Sequence, residues 1–152
     1  MKNLDLPAIQ YTIWPADLQG HRFKVKLHIS NPNSDGQVLQ MPAWIPGSYL
    51  IRDFSKHIES IEAFIAGDTK QKLPLERIHN DQWRLPKLNC AVDILTTVYA
   101  FDSSVRAAYL DTERGFFNAT SLCLQVKGQD HLPCSLAITS PEEAFADHWS
   151  VQ

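Results

Sequence analysis

The segment Arg22-Phe23-Lys24-Val25-Lys26-Leu27-His28-Ile29-Ser30 decides the fold. Its apolar residues recur at every second position. In an extended chain this puts Phe23, Val25, Leu27 and Ile29 on one face and Lys24, Lys26 and His28 on the other. A helix would scatter the same residues around its circumference. The segment therefore reads as a half-buried strand. The turn cluster Asn31-Pro32-Asn33-Ser34-Asp35-Gly36 ends it, and Gln37 to Met41 is expected to return as its hairpin partner.

Working outward, the same period recurs. Ile9 to Trp14 is β-branched and aromatic. His57 to Ala66 also fits a short helix, but Gly67-Asp68 after it has the chemistry of a hairpin turn, which favours a strand. Trp83 to Leu85 is a short strand before Pro86. Val92 to Phe101 is rich in Val, Ile, Thr and aromatics on both faces, as a central strand is. Phe117 to Lys127 and Leu132 to Thr139 are expected to pair across Gly128-Gln129-Asp130-His131, and Trp149-Ser150-Val151 to begin one more strand. One segment carries a helix-start signature: Ser140 as N-cap, Pro141 first, and Glu142 and Glu143 in the first turn of a helix reaching Ala146. The expectation is an all-β, antiparallel β-sandwich with at most one short helix, a single domain over residues 1–152.

Composition agrees with a globular chain. Of 152 residues, 44% are hydrophobic and 20% charged, which disfavours disorder. Fourteen Lys and Arg against 17 Asp and Glu give a net charge of -3 without a basic run, so a nucleic-acid partner is not expected. No apolar run is long enough to cross a bilayer and no signal-peptide core follows Met1, so no membrane partner and a cytoplasmic location are expected. Cys90, Cys123 and Cys134 are odd in number and lack Cys-x-x-Cys spacing, so they read as buried thiols. The chain stops at Val151-Gln152 inside an apparent strand, which suggests a piece truncated from a longer protein.

The search for chemistry returns little. The six histidines, at 21, 28, 57, 79, 131 and 148, include no pair four apart of the kind that grips zinc from a helix. His57-Ile58-Glu59 has the His-x-Glu of zinc deaminases, but Pro133-Cys134 lacks the second Cys that would complete their motif. There is no Gly-x-Ser-x-Gly elbow and no glycine-rich phosphate loop. Asn118-Ala119-Thr120 fits a glycosylation acceptor that has no secretory signal to serve it.

Two dense stretches remain. In Trp44-Ile45-Pro46-Gly47-Ser48-Tyr49-Leu50-Ile51-Arg52-Asp53-Phe54, rings flank a Pro-Gly turn and a charged dipeptide. The simpler reading is a structural loop of Trp44, Pro46, Gly47, Tyr49, Arg52 and Asp53, packed on its rings with Arg52 paired to a carboxylate. In Gly115-Phe116-Phe117-Asn118, glycine permits a close backbone approach, and consecutive Phe residues place one ring on each face of a strand. One ring is then core and the other is exposed beside Asn118, as in a binding surface, unless a further layer covers both.

These stretches, with Tyr99-Ala100-Phe101-Asp102-Ser103-Ser104-Val105-Arg106 between them and Asp111-Thr112-Glu113-Arg114-Gly115-Phe116-Phe117-Asn118-Ala119-Thr120-Ser121-Leu122, stand in the order found in a known family. The chain resembles the N-terminal domain of the glycyl aminopeptidase family of zinc metallopeptidases from about Tyr11 to Trp149. The resemblance implies a parent with a β-sandwich, a thermolysin-like catalytic domain and a PDZ-like domain, releasing small N-terminal residues such as Gly or Ala. The His-Glu-x-x-His motif is absent from this chain. The chain alone is therefore expected to be inactive, with no catalytic residue, metal ligand or cofactor of its own, and zinc is expected in the missing catalytic domain. The implied partners are that catalytic domain and a peptide substrate. Gly115, Phe116, Phe117 and Asn118 are the implied substrate-binding residues, Asn118 as a polar contact and one Phe as a wall against large side chains. Two other readings are a stand-alone β-sandwich module binding carbohydrate or peptide through Trp14, Trp44, Trp83 or Trp149, and a domain that assembles proteins through a sheet edge.

Overall fold

A computed structural model describes residues 6–44, 53–104, 107–141 and 149–151. Twelve strands are described: β1 Ile9–Asp17, β2 Arg22–Ile29, β3 Val38–Gln40, β4 Ile58–Ile65, β5 Asp68–Leu73, β6 Glu76–His79, β7 Gln82–Arg84, β8 Val92–Tyr99, β9 Ala108–Leu110, β10 Gly115–Phe117, β11 Gln125–Val126 and β12 Cys134–Ile138. Two 3-10 turns, Phe54–His57 and Ala119–Ser121, are the helical elements among the described residues. The architecture is the expected β-sandwich.

The large sheet has the order β12-β1-β2-β8-β4-β5, and β11-β3-β7-β6 forms the second. A two-stranded ribbon, β9-β10, covers the rest of the large sheet's inner face. The alternation in β2 is realised: Phe23, Val25, Leu27 and Ile29 are buried while Lys26 is exposed. β8 lies between β2 and β4, as its apolar sequence implies. The β4–β5 hairpin turns at Gly67, whose φ of 77° suits glycine.

The core divides in two. Ile29, Val92 and Ile94 of the large sheet meet Leu39, Trp83 and Val126 of the second sheet. Ile13, Phe23, Val25 and Val98 meet Ala108 and Leu110 of the ribbon, with Leu122 after it. Each large aliphatic side chain so buried contributes about 1.5–3 kcal/mol. The second cluster is what seats β9 and β10 on the sheet.

Four expectations are corrected. β3 does not pair with β2; it lies in the opposite sheet between β11 and β7, because Leu39 and Met41 are needed to face the large sheet. Residues 117–127 and 132–139 do not form a hairpin: β11 pairs with β3, and β12 adds parallel to β1 with Ile9 opposite Cys134. Trp149-Ser150-Val151 is not in a strand. Cys90 and Cys134 are exposed and Cys123 is half-buried, so the thiols are not uniformly core. Burial pushes the Cys123 thiol up to about 12. Pro141 is buried and outside any helix, and Glu142 to Ala146 lie outside the described residues.

Candidate functional site at the ribbon end of the sandwich

The three stretches that carry the family resemblance meet at one end of the fold. Phe54 of the first, Phe101 and Asp102 of the second, and Ser121 of the third line one cavity of about 360 Å³ together with His57. Burial holds the His57 imidazole below its usual range, and Lys56 adds to this, while Asp102 and Asp53 oppose it. Trp44 is 54% exposed. Asp53 accepts the Ser55 hydroxyl at the start of the first 3-10 turn. Pro46, Gly47, Tyr49 and Arg52 lie outside the described residues.

The ribbon is built around its turn. Asp111 Oδ1 accepts the backbone N–H groups of Glu113 (2.7 Å) and Arg114 (2.8 Å), and Oδ2 accepts the Tyr109 hydroxyl (2.7 Å). The Tyr109 bond, then those N–H groups, hold the Asp111 carboxyl below the usual carboxylate range. Beyond the turn, Gly115 pairs with Leu110, Phe116 with Tyr109 and Phe117 with Ala108.

The two phenylalanines part as alternation requires. Phe117 turns into the core, edge-on to Phe23 at 5.6 Å. Phe116 lies on the other face, stacked on Tyr109 at 5.5 Å, and Tyr109 stacks on Phe101 at 5.5 Å. His21 completes this ladder, its ring 4.0 Å from that of Phe101 and its Nδ1 2.5 Å from the Leu110 carbonyl oxygen. His21 holds a φ of 59°, an uncommon left-handed conformation for a residue with a Cβ. Phe101, at 54% exposed, leaves the ladder open to solvent.

Asn118 has a structural task. Its side-chain oxygen accepts the Thr120 N–H (3.1 Å) and hydroxyl (2.6 Å), capping the 3-10 turn Ala119–Ser121. This is where Asn118-Ala119-Thr120 finds its use.

A groove of about 690 Å³ runs beside β10. Phe23, Phe116, Phe117, Ile138 and Trp149 line it, with the exposed Glu113 and Arg114. Gly115, Phe116 and Phe117 thus share one concave surface, and Asn118 caps the turn that follows them. Sequence reading missed that Ile138 lines the same groove, because only the parallel addition of β12 to β1 carries residue 138 there. It also missed Tyr109, the centre of the ladder, although Tyr between Ala108 and Leu110 has the alternation of a short strand.

Elsewhere, Ser30 Oγ lies 3.3 Å from His28 Nε2, and His28 Nδ1 lies 2.8 Å from Asp93 Oδ1. Asp93 Oδ2 also accepts the Gly67 N–H (3.1 Å) and faces Lys26 Nζ (3.7 Å). The arrangement ties β2 and β8 to the β4–β5 turn. Of the four tryptophans, Trp83 is core and Trp14 and Trp149 are half-buried, which leaves Trp44 as the exposed ring. Among the described residues no three His, Cys, Asp or Glu side chains converge to hold a metal. No helix among them is long and apolar enough to cross a membrane.

Known proteins agree with this architecture. Residues 10–152 match the Peptidase M61 N-terminal domain. A crystal structure of an aminopeptidase N family protein from Idiomarina loihiensis is similar with a TM-score of 0.83 and 51% sequence identity, over 90% of this chain and 22% of that one. The chain therefore spans about a fifth of that relative's length. No curated protein matches. The ordered sequence stretches, the sandwich they build and these likenesses converge: the chain belongs to the family of peptidase M61 N-terminal domains.

Proposed function

We propose that this domain packs on the catalytic domain of its own polypeptide and walls part of the cleft of a zinc-dependent aminopeptidase that releases small N-terminal residues, Gly or Ala. The observation that carries the reading is the groove beside β10, walled by Phe116 and Phe117 on a hairpin that Asp111 makes rigid. A substrate wall needs that rigidity, because a loosely held ring excludes nothing. Bulky rings at a first side-chain pocket leave room for hydrogen or methyl and exclude larger groups. Zinc belongs, on this reading, to the catalytic domain, and this chain supplies part of the cleft wall. The exposed, unpaired Cys90 and Cys134 support a reducing, cytoplasmic setting.

The test uses the full-length polypeptide. Phe116→Ala should lower the ratio of kcat/KM for glycyl over leucyl substrates by roughly tenfold, the scale on which pocket volume discriminates. An unchanged ratio in a folded variant removes the cleft role. Failure of the full-length protein to release any N-terminal residue removes the aminopeptidase reading.

A further inference from the structure

The groove beside β10 combines rings and aliphatic side chains with the neutral polar Thr139, Ser140 and Ser150. Of the described side chains that line it, Glu113 and Arg114 are the charged ones. Among the other described arginines, Arg22 and Arg84 have carboxylate partners, and Arg77 donates to the Asn80 carbonyl beneath the Trp83 ring. Arg114 has no carboxylate within 4 Å among the described residues; its charge still acts on the Asp111 carboxylate and the Tyr109 hydroxyl, and its base is firmly held. Its N–H donates to Asp111 Oδ1 at 2.8 Å, its carbonyl accepts the Asp111 N–H at 2.9 Å, and its guanidinium lies 5.7 Å from the centre of the Tyr109 ring. The guanidinium is exposed where it borders the groove, so it is accessible to an incoming anion and presents a fork that matches a carboxylate.

We infer that Arg114 grips the free C-terminal carboxylate of a short peptide lying in this groove, and so selects peptides of a few residues over long chains. The inference rests on the aminopeptidase reading and adds a substrate class to it. A volume of about 690 Å³ accommodates a peptide of a few residues. Only a short peptide brings its carboxylate this close to its amine. Glu113, on the same margin, works against an anionic ligand, which makes Arg114 the residue that sets the preference.

The experiment compares Gly-Ala-Ala with its C-terminal amide as substrates of the full-length polypeptide. The wild type should favour the acid by roughly tenfold in kcat/KM, expressed in KM, as the loss of one charge-assisted contact predicts. Arg114→Met should bring the acid down to the level of the amide. Arg114→Lys should keep part of the preference, and Glu113→Gln should widen it. Equal rates on acid and amide in the wild type, or a preference that survives in Arg114→Met, overturn the inference while leaving the aminopeptidase reading intact. No release from either peptide defeats that reading and the inference with it.

Discussion

Gly115 stands directly opposite Leu110 in the ribbon, and a Cβ at Gly115 would lie 2.8 Å from Leu110 Cδ1 and 3.2 Å from Phe23 Cζ. Space, not backbone freedom, demands glycine there. Gly115→Ala is expected to cost about 1–3 kcal/mol through overpacking. Thermal unfolding checks it, at roughly 2–4 °C per kcal/mol for a chain of this size. Gly67 provides the contrast: nothing crowds it, but its φ of 77° strains any other residue, so Gly67→Ala should cost about 1 kcal/mol from the backbone alone.

Asn118 separates architecture from recognition. Asn118→Ala removes the acceptor for Thr120 and should destabilise by about 1 kcal/mol. Asn118→Asp keeps the acceptor and loses the amide donor. Denaturant midpoints should fall for Ala and hold for Asp. If the amide also touches substrate, the Asp variant of the full-length protein loses turnover despite normal stability.

The hairpin turn should loosen in acid. Asp111 titrates below its unfolded value, so its contribution is fully present above that value, about pH 3.9, and is lost as pH falls through the lower, folded one. Amide exchange at Glu113 and Arg114, the N–H groups Asp111 holds, should quicken over that interval. Asp111→Asn should show less of this dependence. An exchange pattern identical in both proteins would remove the role given to this carboxylate.

Gln37 is a buried amide with every bond made. Its Oε1 accepts from the Asn33 N–H (2.9 Å) and Gln129 Nε2 (3.0 Å), and its Nε2 donates to the Val38 and Lys127 carbonyls (both 2.9 Å). Gln37→Leu keeps the bulk and strips these partners, at an expected cost of about 2–3 kcal/mol. Equilibrium unfolding in urea measures it.

Local pattern carried some of this structure and long-range pairing the rest. The strict alternation of Phe23, Val25, Leu27 and Ile29 specifies a strand with one wet face, and the two-sided apolar run at Val92 to Tyr99 specifies a central one. Neither pattern names its neighbour. β3 has the local signals of a hairpin partner for β2, yet the chain crosses to the other sheet, a choice made by side chains far away in sequence such as Trp83. Residues 117–127 read as one strand, but the Asn118 cap starts a 3-10 turn at Ala119 and interrupts it. At the candidate site, the opposed faces of Phe116 and Phe117 were legible from their adjacency. The stacking of Phe101 on Tyr109 and the presence of Ile138 in the groove with Phe117 were not, since both depend on which strands the fold sets side by side.

The parallel seat of β12 on β1 has a consequence for biosynthesis. Ile9 to Ile13 leave the ribosome well before their parallel partner does, and β2, which follows soon after them, can cover one edge early. Their other edge waits until residues 134–138 have been made. Throughout that delay a nascent copy exposes unpaired backbone groups, which a neighbouring copy on the same message can borrow. Yield in the cell should then depend on how quickly the ribosome reaches β12, and slow codons placed before it should increase aggregation.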